Sequence, residues 1–442
     1  MVRKGFSRWL CGVALNKIST SQMKNHMYVH TLCPNFVHNG RTASVNGCKF
    51  VLQFGGKCGK IIVDIIIDRM VFMDLNELRA EINKVDAQLQ ELFTERMRLC
   101  QQVAEYKIQN DLPVFQKGRE NEIIERVSAA APDELKGATK VYFRTMMDIS
   151  KSLQYSRFFA KADSIQYNKL DLTGHHTVAV PGTNGSYNHI ACGKLFEDFE
   201  PVFCEEFEDV FKAVQSGETE FGILPIVNST AGSVAQTYEL MRQYDFKICA
   251  GTKLRISHCL AAKKGTAISD LKLVYSHDQA LQQCSEFLKA NGLKAHRYAN
   301  TALAAELVKN SSEPIAAVCS QNCAEEMGLE ILQKDIQNAE ENYTKFILIS
   351  KETLKSDNAD TISVCLSLPH QSSSLYRMLT KFSVAGLNLT MIESMPVANT
   401  DFDVVFYLDF HGSVDSPEVV KLLSELEQEL SYFKFLGNYE EV

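Results

Sequence analysis

The chain contains the stretch Asn342-Tyr343-Thr344-Lys345-Phe346-Ile347-Leu348-Ile349, in which a polar cluster is followed at once by an apolar run. Such a run is typical of a buried strand. Thr344 places a hydroxyl between an amide and a cation where this strand begins, and a group of this kind can protonate a leaving group or bind a small anion. An ordinary strand start without a function explains the same residues, because strand starts are common. The stretch therefore predicts a strand, and it predicts a site only if other polar groups meet it.

Composition limits the class of protein. A chain of 442 residues exceeds the usual size of one core, so we expect several domains. The hydrophobic share of 45% and the charged share of 23% are typical of a soluble globular protein. A formal net charge of -8 argues against a nucleic-acid partner. The thirteen cysteines are scattered, and the close pair Cys319 and Cys323 lacks matching metal ligands. We therefore expect reduced thiols in a cytoplasmic protein without a bound metal or cofactor.

Residues 1–72 differ from the rest of the chain, since no Asp or Glu occurs before Asp64 while Lys and Arg are spread throughout. Low acidity with Arg, Lys and Ser is compatible with an organellar targeting peptide, but no sustained amphipathic period is present. The apolar run 61–67 is too short for a membrane span, so no membrane association is expected. Met73 directly precedes a strongly periodic segment. We expect residues 1–72 to be an extension without a fold and the mature chain to begin at Met73, with a targeting peptide as the alternative.

A long amphipathic helix is predicted from Asp74 onward, with Asp74 as its N-cap. Its apolar stripe consists of Leu78, Ile82, Val85, Leu89, Leu92, Phe93, Leu99 and Val103. Arg96 and Lys107 are eleven residues apart, so they project from one side and can bind a small dianion between them. Arg79 lies too far along a straight helix to reach that pocket. It should serve the site of a partner in an antiparallel dimer.

Two prolines interrupt the helical pattern and define two further helices. Pro113 ends the first helix, Arg119-Glu120 begins the second, and Pro132 precedes a third helix over residues 134–159. The long, short, long series over residues 73–160 resembles the all-helical type of chorismate mutase. The residues that carry the resemblance are Leu78-Arg79 with Asp86, Glu95-Arg96, Lys107, Pro113-Val114, Arg119-Glu120, Ser150 and Gln154.

This resemblance implies that the helical domain converts chorismate to prephenate. The rearrangement is unimolecular, so the site has to orient a dianion and stabilise charge on the breaking ether oxygen. Lys107 and Gln154 would face that oxygen. The other implied roles are carboxylate binding by Arg96, Arg119 and the partner's Arg79, a bond to the ring hydroxyl from Glu120, and pocket lining by Ser150.

One position in the helical domain differs from the family pattern, so how the ring hydroxyl of the substrate is recognised there stays open. Gln116 stands where the family often has Asp. A coiled-coil-like dimer with solvated Arg and Lys side chains remains the alternative for the whole domain, because cations are common on such helices.

Short apolar strands alternate with helical stretches after a polar linker at residues 161–174, which predicts α/β layering. A glycine-rich loop with Gly185 and Ser186 follows the first strand and can bind an anion at the start of the next helix. Ligands in such sheets collect beyond the carboxyl ends of strands. The polar residues expected to converge there are Asn228, Ser229, Ser276, Gln283 and Thr344.

Residues 175–352 resemble prephenate dehydratase. The matching pieces are the 182–189 loop, Pro225-Ile226 with Asn228-Ser229, Tyr275-Ser276-His277 with Gln279 and Gln282-Gln283-Cys284, Gly328-Leu329 and Thr344-Lys345-Phe346. The resemblance implies two lobes of the type II periplasmic-binding-protein kind, with the second lobe over about residues 253–327. It implies loss of water and carbon dioxide from prephenate, with Thr344 protonating the leaving hydroxyl, helped by Ser229 or Gln283. Ser276 and Lys345 would bind substrate.

Two departures from that family bear on activity. Val227 stands where a Glu is typical, and Lys345 stands where an Arg is typical. Lys keeps the charge but loses the two-pronged fit to a carboxylate, so we expect weaker prephenate binding.

Residues 360–442 read as strand, helix, strand, strand, helix, strand, which is the α+β ferredoxin-like order. The segment resembles the ACT regulatory domain, with Glu393-Ser394-Met395-Pro396 and Ser372-Ser373-Ser374-Leu375 at its two signature positions. The resemblance implies phenylalanine as the effector, bound near Ser373, Leu375, Glu393 and Ser394. Ser373 at a glycine position would retune the pocket. A dimerisation module insensitive to phenylalanine is the alternative.

The three resemblances follow one another in the order of a bifunctional chorismate mutase/prephenate dehydratase, which predicts a multidomain enzyme of phenylalanine biosynthesis. Its expected partners are chorismate, prephenate and a second or further copy of the chain. Two other functions remain open. One is a dehydratase that acts on arogenate, and the other is a ligand-sensing dimer whose cleft binds without turnover.

Overall fold

The computed structural model describes residues 74–159, 165–339, 341–397 and 403–442, and the backbone of three strands nearer the N-terminus. These strands form an antiparallel sheet in chain order and are β1 (Met27–Thr31), β2 (Lys49–Phe54) and β3 (Ile61–Asp64). These strands lie in the segment predicted to be an extension without a fold, and their β-branched and aromatic residues favour extended backbone. The interpretation of residues 1–72 as such an extension stays a prediction. The rest of that extension, and Met73, lie outside the described residues.

Three helices follow, as the periodicity predicted. They are α1 (Leu75–Gln109), α2 (Lys117–Ala130) and α3 (Lys136–Phe158). Asp74 caps α1, because its Oδ1 accepts hydrogen bonds from the backbone N–H groups of Asn76 and Glu77 at 2.7 and 2.9 Å. Much of the apolar stripe on α1 is exposed, with Leu92 68% and Ile82 58% accessible. Among the residues that the structure describes, no helix is both long and apolar enough to cross a membrane.

The chain divides into two compact units, residues 1–92 and 93–442. Within the second unit, two separate sheets follow α3. The first has the order β6-β5-β7-β15-β9, with the short β8 beside β7. Its members and flanking helices are β5 (His175–Pro181), α4 (Tyr187–Leu195), β6 (Asp198–Cys204), α5 (Phe207–Ser216), β7 (Phe221–Asn228), β8 (Gly232–Ser233), α6 (Ala235–Gln243), β9 (Lys247–Arg255) and β15 (Tyr343–Ser350). A short parallel pair, β4 (Asn168–Lys169) with β16 (Leu354–Lys355), joins the two ends of this region.

The second sheet has the order β12-β11-β13-β10-β14. Its elements are β10 (Cys259–Ala262), β11 (Leu273–Ser276), α7 (Asp278–Gln283), α8 (Ser285–Ala290), β12 (Lys294–Arg297), α9 (Thr301–Asn310), β13 (Ile315–Cys319), α10 (Gln321–Glu326) and β14 (Glu330–Gln333). The chain therefore leaves the first sheet after β9, builds the second sheet, and returns as β15. The expected two-lobed arrangement is present, with the second lobe beginning and ending a few residues later than predicted.

The β15 strand holds the first sheet together, because it returns from the second lobe to lie antiparallel between β7 and β9. Its residues Phe346, Ile347, Leu348 and Ile349 are at most 2% exposed. The quoted apolar run is thus the centre of a core, and Thr344 lies at the edge of that core where the strand begins.

The last region has the predicted strand and helix order, in a sheet of order β18-β19-β17-β20 with antiparallel neighbours. Its elements are β17 (Thr361–Ser367), α11 (Ser374–Ala385), β18 (Leu389–Pro396), β19 (Val404–His411), α12 (Pro417–Glu429) and β20 (Phe433–Tyr439). One face of this sheet packs on α11 and α12. The other face shares a core with the first lobe, where the rings of Tyr407 and Tyr238 lie 4.6 Å apart.

Candidate functional site

Thr344 lies opposite Asn228 in the antiparallel pairing of β15 with β7. The side-chain N–H2 of Asn228 donates to Thr344 Oγ1 and to Asn342 Oδ1, each at 2.8 Å. Asn228 Oδ1 in turn accepts from the backbone N–H groups of Thr230 and Ala231 at 3.0 and 2.7 Å. The orientation of the Asn228 amide is therefore set by backbone donors. Because Thr344 Oγ1 already accepts a hydrogen bond, its own proton is available to another group.

Ser229 extends this network toward solvent. The backbone N–H of Tyr343 donates to Ser229 Oγ at 2.9 Å, and the backbone N–H of Ser229 donates to the Tyr343 carbonyl at 2.8 Å. The side chain of Ser229 is exposed, whereas Thr344 and Asn228 are 7% and 6% exposed. Three of the predicted residues, Asn228, Ser229 and Thr344, are thus brought together.

Gln283 belongs to the second lobe, at the end of α7. Its Oε1 lies 3.0 Å from Nε2 of His258, which is 3% exposed. Burial lowers the pKa of His258, so the imidazole is neutral and donates its Nε2 proton to the amide oxygen. The N–H2 of Gln283 then remains available to donate to another group. His258 was not predicted from the sequence, because it lies directly before β10, whereas Asn228 is the last residue of β7 and the expected ligand positions were carboxyl ends of strands.

The glycine-rich loop lies where the two lobes touch. Gly185 has a left-handed φ of 74°, and a Cβ there would lie 2.9 Å from Cys323 Cα. Its carbonyl accepts a hydrogen bond from Ser320 Oγ at 3.0 Å. Ser186 caps α4 by accepting from the backbone N–H of His189 at 3.3 Å. Only glycine combines this φ with so close an approach, so Gly185 has a backbone role at this contact.

Two of the predicted substrate-binding residues lie elsewhere. Ser276 is fully buried and donates to the Val318 carbonyl at 2.6 Å, so its hydroxyl satisfies a backbone group inside the second sheet. Lys345 points away from Thr344, because successive side chains of a strand project to opposite faces. The Lys345 ammonium lies 2.8 Å from Glu441 and 3.4 Å from Asp409. These contacts do not support a role in substrate binding for Ser276 or Lys345, and both roles stay predictions.

In the helical domain, Lys107 and Gln154 meet as predicted. Lys107 Nζ lies 3.5 Å from Gln154 Oε1 and donates to the Val114 carbonyl at 2.7 Å. The two side chains are buried, and Ser150, one turn before Gln154, is buried with them. Burial lowers the pKa of Lys107. An ammonium held in this low-dielectric place is suited to stabilise negative charge on a bound oxygen.

Glu120 is half-buried and lies 3.1 Å from Lys151 Nζ, a residue that the sequence analysis did not single out. Lys151 is 4% exposed and also pairs with Asp148 at 3.0 Å. The helical periodicity of α3 gave no signal for these two buried charges, since charged residues alternate with apolar ones on any amphipathic helix.

The remaining predicted residues of the helical site lie at its margin. Arg96 is half-buried, with Nη1 3.8 Å from Cys100 Sγ. Arg119 is directed to solvent and pairs with Glu122 at 3.0 Å. Gln116 is exposed at the start of α2, and Arg79 is exposed on the first unit. The second unit therefore brings together Lys107, Gln154, Ser150 and Glu120, while Arg119 and Gln116 stay outside.

The four predicted effector residues lie on two elements of the last region. Ser373 precedes α11 in the left-handed conformation, with φ 70°, which a serine adopts only at some cost. Leu375 is 38% exposed. On β18, an edge strand of its sheet, Ser394 is exposed and Glu393 Oε1 accepts from Ser233 Oγ of the first lobe at 2.5 Å. In the described ranges no group of three or more His, Cys, Asp or Glu side chains is placed to hold a metal ion.

Two family models match the chain. One describes chorismate mutase type II and matches residues 78–155, and the other describes prephenate dehydratase and matches residues 178–354. They cover the helical domain and the two lobes, respectively.

Full-length relatives extend the likeness. The chain is 30% identical over 372 residues to the bifunctional chorismate mutase/prephenate dehydratase of Aquifex aeolicus, which covers 83% of this chain and 98% of the relative. It is 34% identical over 274 residues to the chloroplastic arogenate dehydratase/prephenate dehydratase 2 of Arabidopsis thaliana, covering 59% of this chain and 72% of the relative.

Two solved structures resemble the chain with a TM-score of 0.55 and 27% identity, each covering 60% of it. One is the prephenate dehydratase of Arthrobacter aurescens in complex with L-Phe, matched over 89% of its length. The other is a quorum-quenching acylase, GqqA, matched over 98%. The same architecture is therefore found with two different described activities.

Proposed function

The chain belongs to the family of bifunctional chorismate mutase/prephenate dehydratases, and from that premise we propose how its residues divide the two reactions. It rearranges chorismate to prephenate and converts prephenate to phenylpyruvate. The observation that carries the division of labour is the pair of separate polar networks, one around Lys107 and one around Thr344.

The mutase step uses Lys107 and Gln154. In the rearrangement one carbon–oxygen bond breaks as one carbon–carbon bond forms, and no proton is gained or lost. The site lowers the barrier by stabilising the ether oxygen as negative charge develops there. Lys107 supplies an ammonium, which donates to the Val114 carbonyl and to Gln154 Oε1, and the Gln154 N–H2, which donates one proton to the Ser150 carbonyl at 3.3 Å, supplies its second proton to the ether oxygen. Arg96 binds a carboxylate, and Glu120 accepts a hydrogen bond from the ring hydroxyl.

A second copy of the chain completes the mutase site with the partner's Arg79. The support for this proposal is the exposed apolar stripe of α1, because a row of large apolar side chains in water marks an interaction surface. Ile82→Glu places a charge in that stripe. We expect it to give a smaller assembly in sedimentation and to abolish the mutase reaction while the dehydratase reaction continues. An unchanged assembly with full mutase activity would exclude this role for α1.

The dehydratase step uses Thr344 as the proton donor. Thr344 gives its proton to the ring hydroxyl of prephenate, which leaves as water, while the bond to the ring carboxylate breaks and its electrons complete the aromatic ring. Carbon dioxide leaves, and solvent returns the proton to Thr344. Asn228 favours this transfer, because its donated hydrogen bond stabilises the oxygen of Thr344 as the proton departs. Gln283, oriented by His258, and the loop around Gly185 and Ser186 hold the substrate.

The last region acts as an ACT domain that senses phenylalanine. Support comes from its strand order, from the edge strand β18, and from a related prephenate dehydratase whose structure contains L-Phe. Glu393 bonds to Ser233 of the first lobe, so ligand binding at β18 has a direct route to the dehydratase. Glu393→Ala should therefore weaken the effect of phenylalanine on prephenate turnover. An unaltered effect in this variant would exclude that route.

Incubation of the purified full-length chain with chorismate tests the proposed function. Phenylpyruvate, read by its absorbance in base, should accumulate. Prephenate accumulating alone would instead favour the ligand-sensing alternative. Arogenate supplied in a parallel reaction tests the other alternative, which the name of the Arabidopsis relative raises. A higher kcat/KM for arogenate, measured as formation of phenylalanine, than for prephenate, measured as formation of phenylpyruvate, would make arogenate the preferred substrate.

A further inference from the structure

Helix α3 of the helical domain packs against α11 and α12 of the last region, and four charged side chains meet across this contact. We call them the charge cluster; they are Glu120, Asp148, Lys151 and Arg377. Arg377 donates two hydrogen bonds to Asp148, at 2.7 and 2.9 Å, and its Nη2 lies 3.8 Å from Glu120. Lys151 Nζ lies between the two carboxylates, 3.0 Å from Asp148 and 3.1 Å from Glu120.

The charge cluster is balanced, and its centre is buried, while the side chains of Arg377 and Glu120 are 34% and 22% exposed. It holds two carboxylates and two cations, and Asp148 and Lys151 are 2% and 4% exposed. Burial opposes the charge on Asp148, but the hydrogen bonds from Arg377 and the charge of Lys151 outweigh it and lower the pKa of this carboxyl. A buried charge that loses one partner is strongly destabilised and draws on the partners that remain. Without Arg377, Asp148 would therefore draw Lys151 away from Glu120.

We propose that Arg377 is a positioning residue for the mutase reaction, which sets the place of the Glu120 carboxylate by holding Asp148 and thereby Lys151. The inference rests on the proposed role of Glu120 in binding the ring hydroxyl. It makes the last region a part of the mutase site, because a side chain of α11 determines where a substrate-binding group of α2 lies.

Other contacts of the same interface hold the helices without the charge cluster. Ser152 Oγ donates to both Glu425 oxygens, at 3.0 and 3.1 Å. Within the last region, Lys381 of α11 pairs with this Glu425 and, at 2.8 Å, with Glu429 of α12, which fixes the acceptor that Ser152 contacts. Thr145 and Tyr376 share a hydrogen bond at 3.1 Å between their hydroxyls. Loss of Arg377 should therefore leave α3 and α11 in contact and change the placement of Glu120.

The experiment compares two neighbouring substitutions on α11 in the full-length protein. Arg377→Ala should lower mutase kcat/KM by about 10-fold, the size expected for coupled neighbours. Tyr376→Phe removes one hydrogen bond of the same interface and should leave mutase kcat/KM unchanged. Dehydratase kcat/KM of each variant reports that the chain is folded. Arg377→Lys keeps the charge without the two-pronged fit and should fall between wild type and Arg377→Ala.

A double-mutant cycle with Glu120→Gln distinguishes positioning from general loss of structure. If Arg377 acts through Glu120, Arg377→Ala should have no further effect on mutase kcat/KM in the Glu120→Gln background. Equal fold losses in both backgrounds, or equal losses in Arg377→Ala and Tyr376→Phe, would overturn the inference. Full mutase activity in Glu120→Gln alone would instead overturn the proposed role of Glu120. If Arg377→Ala does not fold, the same cycle run with Arg377→Lys gives the decision.

Discussion

The two catalytic regions of this protein differ in the groups that surround their reacting atoms. Around Thr344, in the dehydratase, the groups are neutral, and backbone donors orient Asn228, which in turn orients the hydroxyl. In the mutase, the buried group Lys107 is itself a cation whose acceptors are neutral, and a separate ion pair of Glu120 and Lys151, 3.1 Å apart, lies on the neighbouring helices. The difference follows the chemistry. The dehydration needs a positioned proton donor, whereas the rearrangement needs a positive charge positioned near the oxygen that becomes negative.

The elements that carry the two sites differ in the same way. Thr344 lies on a central strand with neighbours on both sides, so its position depends on backbone hydrogen bonds. Lys107, Gln154 and Glu120 lie on three helices whose relative places depend on side-chain packing. A strand ladder can hold one oxygen to a fraction of an ångström, whereas a charged pocket tolerates more movement because Coulomb interactions fall slowly with distance.

Thr344→Ala tests the neutral site and should have the largest effect. Removal of a general acid costs about 1,000-fold, so we expect a loss of that size in dehydratase kcat. Mutase kcat/KM, measured as disappearance of chorismate, should be unchanged. Thr344→Ser keeps a hydroxyl and should retain most of the activity. Dehydration at the wild-type rate in Thr344→Ala would refute the assignment.

Lys107→Met tests the charged site. It replaces the buried ammonium by an apolar chain of similar length, and we expect mutase kcat/KM to fall by about 100-fold, the usual cost of one charge-stabilising group. Dehydratase activity assayed with prephenate serves as the internal control. A loss shared equally by both activities would point to unfolding and would break the distinction between the two regions.

The pH profile of the mutase gives a smaller effect of the same origin. Burial lowers the pKa of Lys107 below its ordinary value of 10.5. The protonated form is the active one, so mutase kcat/KM should fall as pH rises through the lowered pKa, by about 10-fold per unit on the alkaline limb. The limb should lie below the pH expected for a solvated lysine. A profile that stays flat to the stability limit of the protein would contradict the role of the ammonium.

Lys345→Met tests whether the charge of Lys345 contributes to prephenate binding. Burial opposes the charge on Lys345, but Tyr439, Asp409 and Glu441 outweigh it and raise its pKa, so the cation belongs to the contact with the last region. Its loss leaves Asp409 buried without a cation and should destabilise the fold by about 3 kcal/mol in chemical denaturation. Dehydratase KM for prephenate should stay near the wild-type value. A large rise in KM alone would return Lys345 to the substrate site.

Ser276→Ala should have the smallest effect. The variant leaves the Val318 carbonyl without its hydrogen bond and should lower the free energy of unfolding by about 1 kcal/mol. Dehydratase kcat/KM should be unchanged, in contrast to Thr344→Ala. A selective loss of activity without loss of stability would show that the neutral site extends to this hydroxyl.

Much of the architecture could be predicted because it depends on local patterns. Helical spacing after Asp74, apolar strand segments and the strand order of the last region all appear in the structure. The convergence of Asn228 and Thr344 was predicted from their places at strand ends, and they are hydrogen-bonded. A place at a strand end does not by itself predict a site. Ser276 also lies at a strand end, but its hydroxyl donates to a carbonyl of the neighbouring strand.

The sequence by itself determined the three regions, their order and the residue types at the two sites, since periodicity and short motifs depend on neighbours within a few turns. Only the tertiary structure decided which partner each polar group contacts. Lys345 turns to Asp409, and Arg377 reaches Asp148 from 229 residues away. The partner of a long charged side chain depends on distance in space and on burial, and the spacing of residues along the chain predicts neither.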